Sequence, residues 1–529
     1  LVTGANVANL LLARAGSRRA EMSVRLAIGG SRWRLVRQLL AESAVLALCG
    51  VASGLGLAIV TARLIVAQLS TTTNPVMLDV ALDWRLVLFA VGVACVVTPL
   101  FALVPALRAT RVAPGSAMKE QSRSISGDGS HRLGHTLVLT QIALSLSLVV
   151  LAGLLVGTFT RLASRPLGLE SRSVVVAEVQ MLPDAVPPEE RTAVYEGLRV
   201  LMEGVPGVRT TAIGTKIPLS APGWNSGIID VDGTDVGGDG RQRMVWMSGV
   251  SDGYFATYGI AMRAGRDVSA SDTATAPPVM VVNEAFVRRF LGGGAAVGRR
   301  VRRGMVGRPD TYSEYREIVG VVADTVYRRD LRRDFEPAAY LPIGQLDGPP
   351  AERITMAARS AAGDADALVA PIASVLGSAD ARLSARVAAH RLYVQNALTQ
   401  ERLIATVAGL FGALALVLAV IGLYGVTAYT VSRRRPEIGV RLALGATPAG
   451  VVSLVLKRVM ILVVAGIAAG VGLSLWAGRA VKVLLHGLEP NDPMTLIGAA
   501  LILLVTGGLA GALPAWQAAR TDPSRAIRD

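Results

Sequence analysis

Glu437-Ile-Gly-Val-Arg441-Leu-Ala-Leu-Gly445 repeats, almost residue for residue, an earlier stretch of the chain, Glu21-Met-Ser-Val-Arg25-Leu-Ala-Ile-Gly29. Each copy follows an apolar run and a basic cluster and precedes a second, longer apolar run. This anatomy predicts a short helix lying at a membrane surface between two spans. In each copy Glu stands four residues before Arg, which puts both side chains on one helical face in the favourable orientation and contributes about 0.2–0.5 kcal/mol. Met22 with Leu26, and Ile438 with Leu442, give the helix an apolar side to rest on lipid or protein. Gly29 and Gly445 supply the stop. One copy alone would read as a braced surface helix; two in the same setting point to a docking element.

Composition gives the setting independently. The chain has 529 residues of which only 18% are charged, and a mean hydropathy of +0.47, too apolar for a soluble protein of this size. The net charge of +15 and isoelectric point near 10.5 raise nucleic acid as a partner. The arginines, however, flank the apolar runs on alternate sides, as the preference for basic residues in cytoplasmic loops requires. Membrane lipid is therefore the expected neighbour, and no nucleic acid. Cys49 and Cys95 both fall in apolar runs, so neither a disulfide framework nor a Cys-based metal site is expected. His131 and His135 have a helical metal spacing, but Gly134 and the Ser/Gly composition around them argue against a rigid site. No metal or cofactor is expected.

Along the chain, Leu1 to Ala13 is an apolar segment that reads as the tail of a longer span, so the reading frame is expected to extend upstream through another external domain and another span. Apolar runs at about 35–68, 86–107, 136–157, 402–431, 451–485 and 493–513 are long enough to cross a bilayer, which takes roughly 20 residues. The ends of the third and last runs match again: Pro105-Ala-Leu-Arg-Ala-Thr-Arg-Val-Ala-Pro114 and Pro514-Ala-Trp-Gln-Ala-Ala-Arg-Thr-Asp-Pro523. The predicted fold is an α-helical membrane protein of about seven spans, the first partial, with a three-to-four-span unit duplicated. Gly50 and Gly54 in one long span correspond to Gly466 and Gly470 in the other, each pair a small-xxx-small face for close helix packing. The polar stretch Arg108 to His135 reads as a cytoplasmic linker, and Gln141, Ser145 and Ser147 as residues facing other helices.

Between about Thr160 and Leu398 the composition changes. Ser173-Val-Val-Val-Ala-Glu-Val179, Pro278-Val-Met-Val-Val282 and Glu317-Ile-Val-Gly-Val-Val322 read as buried strands, and helical patterns alternate with them at about 188–203, 284–291 and 364–376. The expectation is a large extracytoplasmic mixed α/β domain of two lobes. Its arginine-rich patches, 299–303 and 328–333, read as solvated faces, Asp230 and Asp232 as members of a solvated Gly-rich turn, and Gly292 to Gly294 as a turn. The predicted domains are 1–134 (partial span, surface helix, two spans, linker), 135–159 (first span of the second unit), 160–398 (external domain) and 399–529 (three spans with the second surface helix).

Catalytic patterns are absent from the sequence. A phosphate loop needs a Gly-rich turn followed by Lys, and the lysines, Lys119, Lys216, Lys457 and Lys482, are none of them preceded by Gly. There is no Gly-x-Ser-x-Gly elbow and no His-Glu-x-x-His pair. His390 and His486 stand alone. A secondary transporter would carry ionisable residues at mid-membrane, whereas charges here lie near the ends of the runs. The alternative is a membrane-anchored extracytoplasmic enzyme or sensor, which would need a convergent polar constellation in the external domain.

The order of a span, a large external α/β domain, three further spans and Glu-x-x-x-Arg-x-Ala-x-Gly after the second span resembles the MacB/FtsX-like permeases of ABC transporters. With its duplication it is most similar to the acidobacterial-type duplicated permeases, amino-terminally truncated. Further matching stretches are Gly249-Val-Ser-Asp-Gly-Tyr-Phe255, Gly265-Arg-Asp-Val268, Val282-Asn-Glu-Ala285, Ile318-Val-Gly-Val-Val322 and Tyr340-Leu-Pro342. The resemblance implies a multi-pass protein of the bacterial inner membrane with no catalytic residues of its own. Its partners would be a cytoplasmic ABC ATPase subunit and, in some relatives, a periplasmic adaptor. It implies mechanotransmission, in which movement of the ATPase passes through the spans to the periplasmic domain for export or extraction of a substrate. In that family the short cytoplasmic helix docks on the ATPase, a role the resemblance carries onto Glu21, Arg25 and Gly29 and onto Glu437, Arg441 and Gly445. The two copies diverge beyond the glycine, where Ser31-Arg-Trp-Arg34 becomes Thr447-Pro-Ala-Gly450.

Overall fold

The computed structural model describes residues 31–69, 83–96, 128–220, 225–233, 243–305, 308–346, 348, 350–487 and 489–520. The first surface helix, with Glu21, Arg25 and Gly29, lies outside the described residues, as does the apolar start. Two units are present: Leu162–Gln400 form one, and the segments before and after it form the other.

The membrane unit begins with α1 (Arg32–Leu69), a short apolar α2 (Trp84–Val96) and α3 (Asp128–Ala163). The stretch 128–135, the end of the expected linker, is helical and continuous with the span that follows. Once an apolar helix of this length exists, adding residues at its amino end costs only propagation, not nucleation, and this outweighs the weak helix preference of Ser and Gly.

The second unit opens with β1 (Val174–Met181), α4 (Arg191–Glu203) and β2 (Val208–Gly214), and closes with β11 (Arg353–Ser360), α7 (Asp366–Ala379) and β12 (Leu383–Ala389). These two βαβ halves interleave in the order β2-β11-β1-β12, every pair antiparallel, which is the split βαβ arrangement of ferredoxin-like folds. In β1 alternate residues face opposite ways. Val175, Ala177 and Val179 pack with Leu198 of α4 and Ile372 of α7, while Val174 and Val176 enter a different core on the far face. Burial on both faces is why this strand reads as an unbroken apolar run.

Between β2 and β11 the chain inserts a second lobe: β3 (Asn225–Val231), β4 (Met244–Val250), α5 (Tyr254–Tyr258), β5 (Met262–Gly265), β6 (Val279–Asn283), α6 (Glu284–Phe290), β7 (Arg300–Met305), β8 (Arg308–Tyr312), β9 (Arg316–Val322) and β10 (Ala338–Pro342). Its pairings β10-β6-β9-β7-β3-β4 return to β10, so six strands close on themselves around Phe286 and Phe290 of α6. The lobes share an edge at Gly214 of β2, which pairs with Val250 of β4.

Closure corrects the reading of Asp230. Asp230 lies on β3, not in a turn, and stands opposite Arg302 of β7; its carboxylate meets Arg302 Nε at 2.6 Å and Arg243 at 3.4 Å. Asp232 meets Arg300 at 2.5 Å. The Arg302 guanidinium also lies 4.3 Å from the Tyr312 ring centre. The arginine-rich stretch at 299–303 is thus largely a strand with cross-strand acidic partners.

The second unit ends with α8 (Arg391–Ala397), and the membrane unit resumes with α9 (Thr399–Arg433), followed by α10 (Arg435–Ala443), α11 (Pro448–Val481) and α12 (Pro493–Ala519). Among the described residues five helices are long and apolar enough to cross a membrane: α1, α3, α9, α11 and α12. Of the other two expected spans, one is described only as far as Val96 and one lies outside the described residues. Val138, Ile142, Leu146, Val150 and Leu154 form a stripe on α3 at four-residue spacing, buried against α9, α11 and α12. Polar side chains tie the same helices together: Gln141 Nε2 donates to Leu418 O at 2.6 Å, Ser145 Oγ to Ala415 O at 3.1 Å, and Ser474 Oγ to Ser147 Oγ at 3.3 Å. Gly466 and Gly470 of α11 sit against Ile142 and Leu146 of α3, where an added Cβ would come within 2.7 and 2.9 Å of them. Gly50 and Gly54 of α1 have open space at that position among the described residues.

Candidate functional site

α10 follows α9 with only Arg434 between the two helices. Pro436 occupies its first turn, where a missing N–H costs nothing and the fixed φ suits the helix. At its end Gly445 takes φ +94°, a left-handed conformation that side chains resist, and Ala446 N donates back to Arg441 O at 3.0 Å. Two residues later Thr447 caps α11, its hydroxyl accepting from Gly450 N at 3.2 Å. Both boundaries of the helix are fixed by local chemistry.

Packing divides α10 into two faces. Ile438, 6% exposed, is buried with Val431 of α9, Val451 of α11 and Ala518 of α12, with Leu442 beside it. The apolar side therefore rests on protein, at the ends of three long helices. On the outward side Glu437 and Arg441 pair at 2.7 Å, each about half exposed, with Val440 and Leu444 beside them. Leu444 is 82% exposed, an unusual position for a leucine at the end of a capped helix. Leu442 was readable as a partner of Ile438 from their i, i+4 spacing; the same spacing of Val440 and Leu444, an exposed apolar pair on the outward side, was the signal left unread. Between α9, α10 and the first turns of α11 a cleft encloses about 300 Å³.

The FtsX-like permease C-terminal family model matches residues 1–114 and again 409–523, and the MacB-like periplasmic core domain model matches residues 136–375. This chain belongs to the MacB/FtsX-like permeases. The permease is a multi-pass inner-membrane protein with a large periplasmic α/β domain. It is 36% identical over 119 residues to the macrolide export ATP-binding/permease protein MacB of Escherichia coli strain K12, a match covering 22% of this chain and 18% of that protein. It is 34% identical over the same length to the pyoverdine export ATP-binding/permease protein PvdT of Pseudomonas fluorescens, again 18% of the relative. The match thus spans under one fifth of these relatives. Among solved structures, the periplasmic region of MacB from Actinobacillus actinomycetemcomitans aligns with 42% of the permease and 92% of its own chain at 12% identity and a TM-score of 0.28. The extracellular domain of the noncanonic ABC-type transporter YknZ aligns with 40% of the permease and 99% of its own chain, at 15% identity and a TM-score of 0.25.

The periplasmic domain of the permease holds its most unusual polar chemistry in its core. Tyr254, Phe255 and Tyr258 of α5 are fully buried, and Tyr340 of β10 meets Phe255 edge-on at 4.8 Å between ring centres. Two of the family-resemblance stretches, Gly249–Phe255 and Tyr340–Pro342, therefore build the core under α5. His390, just beyond β12, is fully buried beside Tyr258 and Tyr393. Its Nε2 lies 3.0 Å from Pro218 O and donates to it, while Nδ1 has no hydrogen-bond partner among the described residues. Burial pushes the His390 pKa down to about 4. No cluster of three or more metal-ligating side chains occurs among the described residues.

His390 gives the fold a defined pH response. Its folded pKa lies below the unfolded value of about 6.5, so the native state binds fewer protons. Its contribution is complete above pH 6.5, is lost as pH falls toward 4 and is constant below that. The full effect is about 3 kcal/mol, at 1.36 kcal/mol per pKa unit. Asp267 acts with the opposite sign: burial raises its pKa to about 6, so its contribution is present at low pH and lost as pH rises through 6. Comparison with His390→Gln isolates the histidine, because Gln can keep the hydrogen bond to Pro218 O without titrating. Unfolding of the intact protein at pH 7 and pH 4.5 should show a smaller loss of stability in the variant; equal losses would remove His390 as the cause.

Proposed function

We propose that this permease couples ATP hydrolysis in a separate cytoplasmic ATPase subunit to movement of its periplasmic domain, with α10 as the docking element. What chiefly supports the reading is the two-faced packing of α10. Ile438 fixes it to the ends of α9, α11 and α12, while Glu437, Arg441, Val440 and Leu444 are left outward. A load on the outward face reaches three spans through one buried side chain. Glu437 and Arg441 form the polar part of the docking face, and Gly445 holds the sharp turn into α11. Glu21, Arg25 and Gly29 take the same roles in the first copy. The relatives, export ATP-binding/permease proteins, favour export or extraction of a substrate over the alternative of an anchored enzyme or sensor.

The test is reconstitution with the ATPase. Glu437→Ala with Arg441→Ala removes an exposed pair of the kind worth about 0.3–0.5 kcal/mol, so folding and insertion should be unchanged. ATPase co-purification, or substrate-dependent hydrolysis, should fall at least tenfold. Adding Glu21→Ala and Arg25→Ala should deepen the loss. Wild-type behaviour of the quadruple variant in both assays would remove these residues from coupling.

A further inference from the structure

We infer that the cleft between α9, α10 and α11 is a binding site for an anionic glycerophospholipid of the cytoplasmic leaflet. Its charged lining is Arg434 and Arg441 where α9 meets α10, and Lys457 and Arg458 further along α11, with Glu437 the lone acid. Glu437 is taken by Arg441. The side chains of Arg434, Lys457 and Arg458 have no acidic partner and no hydrogen bond among the described residues, so the cleft presents three uncompensated cations. Apolar residues line it throughout: Leu454 and Val455 before Lys457 on α11, Val459 and Leu462 after Arg458, and Leu423 and Val426 on α9. From Arg434 back to Leu423 is eleven residues of nearly continuous helix, about 16 Å at 1.5 Å per residue, or roughly half the thickness of a bilayer's hydrocarbon core.

The arrangement is amphiphilic, with cations set among apolar side chains and an apolar stretch, Leu423 and Leu462, beyond Arg458. A phosphodiester with an acyl chain matches both parts. Basic pockets between spans on the cytoplasmic side bind anionic head groups in this way, and arginine offers a phosphate paired N–H donors. An acidic peptide would satisfy the cations but leave the apolar length facing water or lipid, so charge complementarity and shape together favour the lipid. The inference rests on the cytoplasmic placement of α10 and not on its docking role. A bound lipid would fill the space behind α10 and brace it from the membrane side.

Lipid retention is measured without the ATPase, whose binding is assayed separately. Purified permease in detergent is titrated with dioleoylphosphatidylglycerol or dioleoylphosphatidylcholine, and retained lipid is counted by native mass spectrometry. Wild type should retain the anionic lipid at least tenfold more tightly. Arg434→Gln, Lys457→Gln and Arg458→Gln combined should abolish the preference. Arg479→Gln with Lys482→Gln, at the other end of α11, should leave it intact. Leu462→Trp, which fills the apolar length without touching a charge, should displace the lipid on its own and keeps the question open to test even if the triple variant folds poorly. Equal retention of both lipids, or an undiminished preference in both the triple variant and Leu462→Trp, would overturn the inference. Loss of ATPase binding in the triple variant with no change in lipid retention would assign the cations to a protein partner instead, and would overturn it too.

Discussion

Replacing Gly470 with Leu should force α11 away from α3 and lower the stability of the membrane bundle by about 3 kcal/mol or more, the upper end of what overpacking costs. Even a methyl at this position would stand 2.9 Å from Ala143 O and from Leu146, and Leu146 is fully buried. The backbone of α3 cannot yield without disturbing Ser145 and Ser147, whose hydroxyls bind α9 and α11 carbonyls. Gly470→Ala should show a graded, smaller loss. Gly472→Leu is the control, since nothing lies within 4 Å of its Cβ position. The readout is the thermal midpoint in detergent with recovery of monodisperse protein. Equal behaviour of Gly470→Leu and Gly472→Leu would show that the close approach carries no energy.

Asn283→Leu should destabilise the periplasmic domain by about 3–6 kcal/mol, from three buried backbone groups losing a partner at about 1–3 kcal/mol each, summed conservatively. Asn283 is fully buried at the junction of β6 and α6. Its Oδ1 accepts from Phe286 N at 3.0 Å and from Ala338 N at 2.9 Å, and its Nδ2 donates to Glu336 O at 2.9 Å. One side chain therefore caps a helix and stitches β6 to the start of β10. Asn283→Asp keeps the acceptor and loses the donor, so it should cost less than Leu. Urea unfolding of the intact protein, followed by hydrogen exchange within residues 162–400, separates the variants. A midpoint shift under 1 kcal/mol for Leu would reduce Asn283 to a space-filler.

These outcomes bear on what a sequence can reveal. The spans were legible because hydrocarbon thickness imposes a length, and β1, β6 and β9 because doubly buried strands are continuous β-branched runs. Gln141, Ser145 and Ser147 were legible because a polar side chain inside a span needs a partner. β7 was hidden, since a strand written Arg-Val-Arg-Arg-Gly-Met makes sense only beside Asp230, about seventy residues away in the chain. The closed ring was hidden for the same reason: its closing pair, β4 with β10, joins segments about ninety residues apart. In the candidate site, Glu437, Arg441 and Gly445 follow a local pattern. That Arg434, Lys457 and Arg458 share one cleft depends on how α9 and α11 pack.

The interleaving of the two βαβ halves has a mechanical side. The chain arrives from α3 at the first residue of β1 and leaves from the last residue of β12, and these strands are antiparallel neighbours with Val175 opposite Ala389. Both attachment points are thus at the same end of one strand pair, clasped by His390 N donating to Val174 O at 2.8 Å. Tension that spreads the two attachments meets the ladder one rung at a time, as a zipper is opened, instead of loading every rung together in shear. The clasp at His390 is the first rung, and it sits beside a buried imidazole whose protonation the fold opposes.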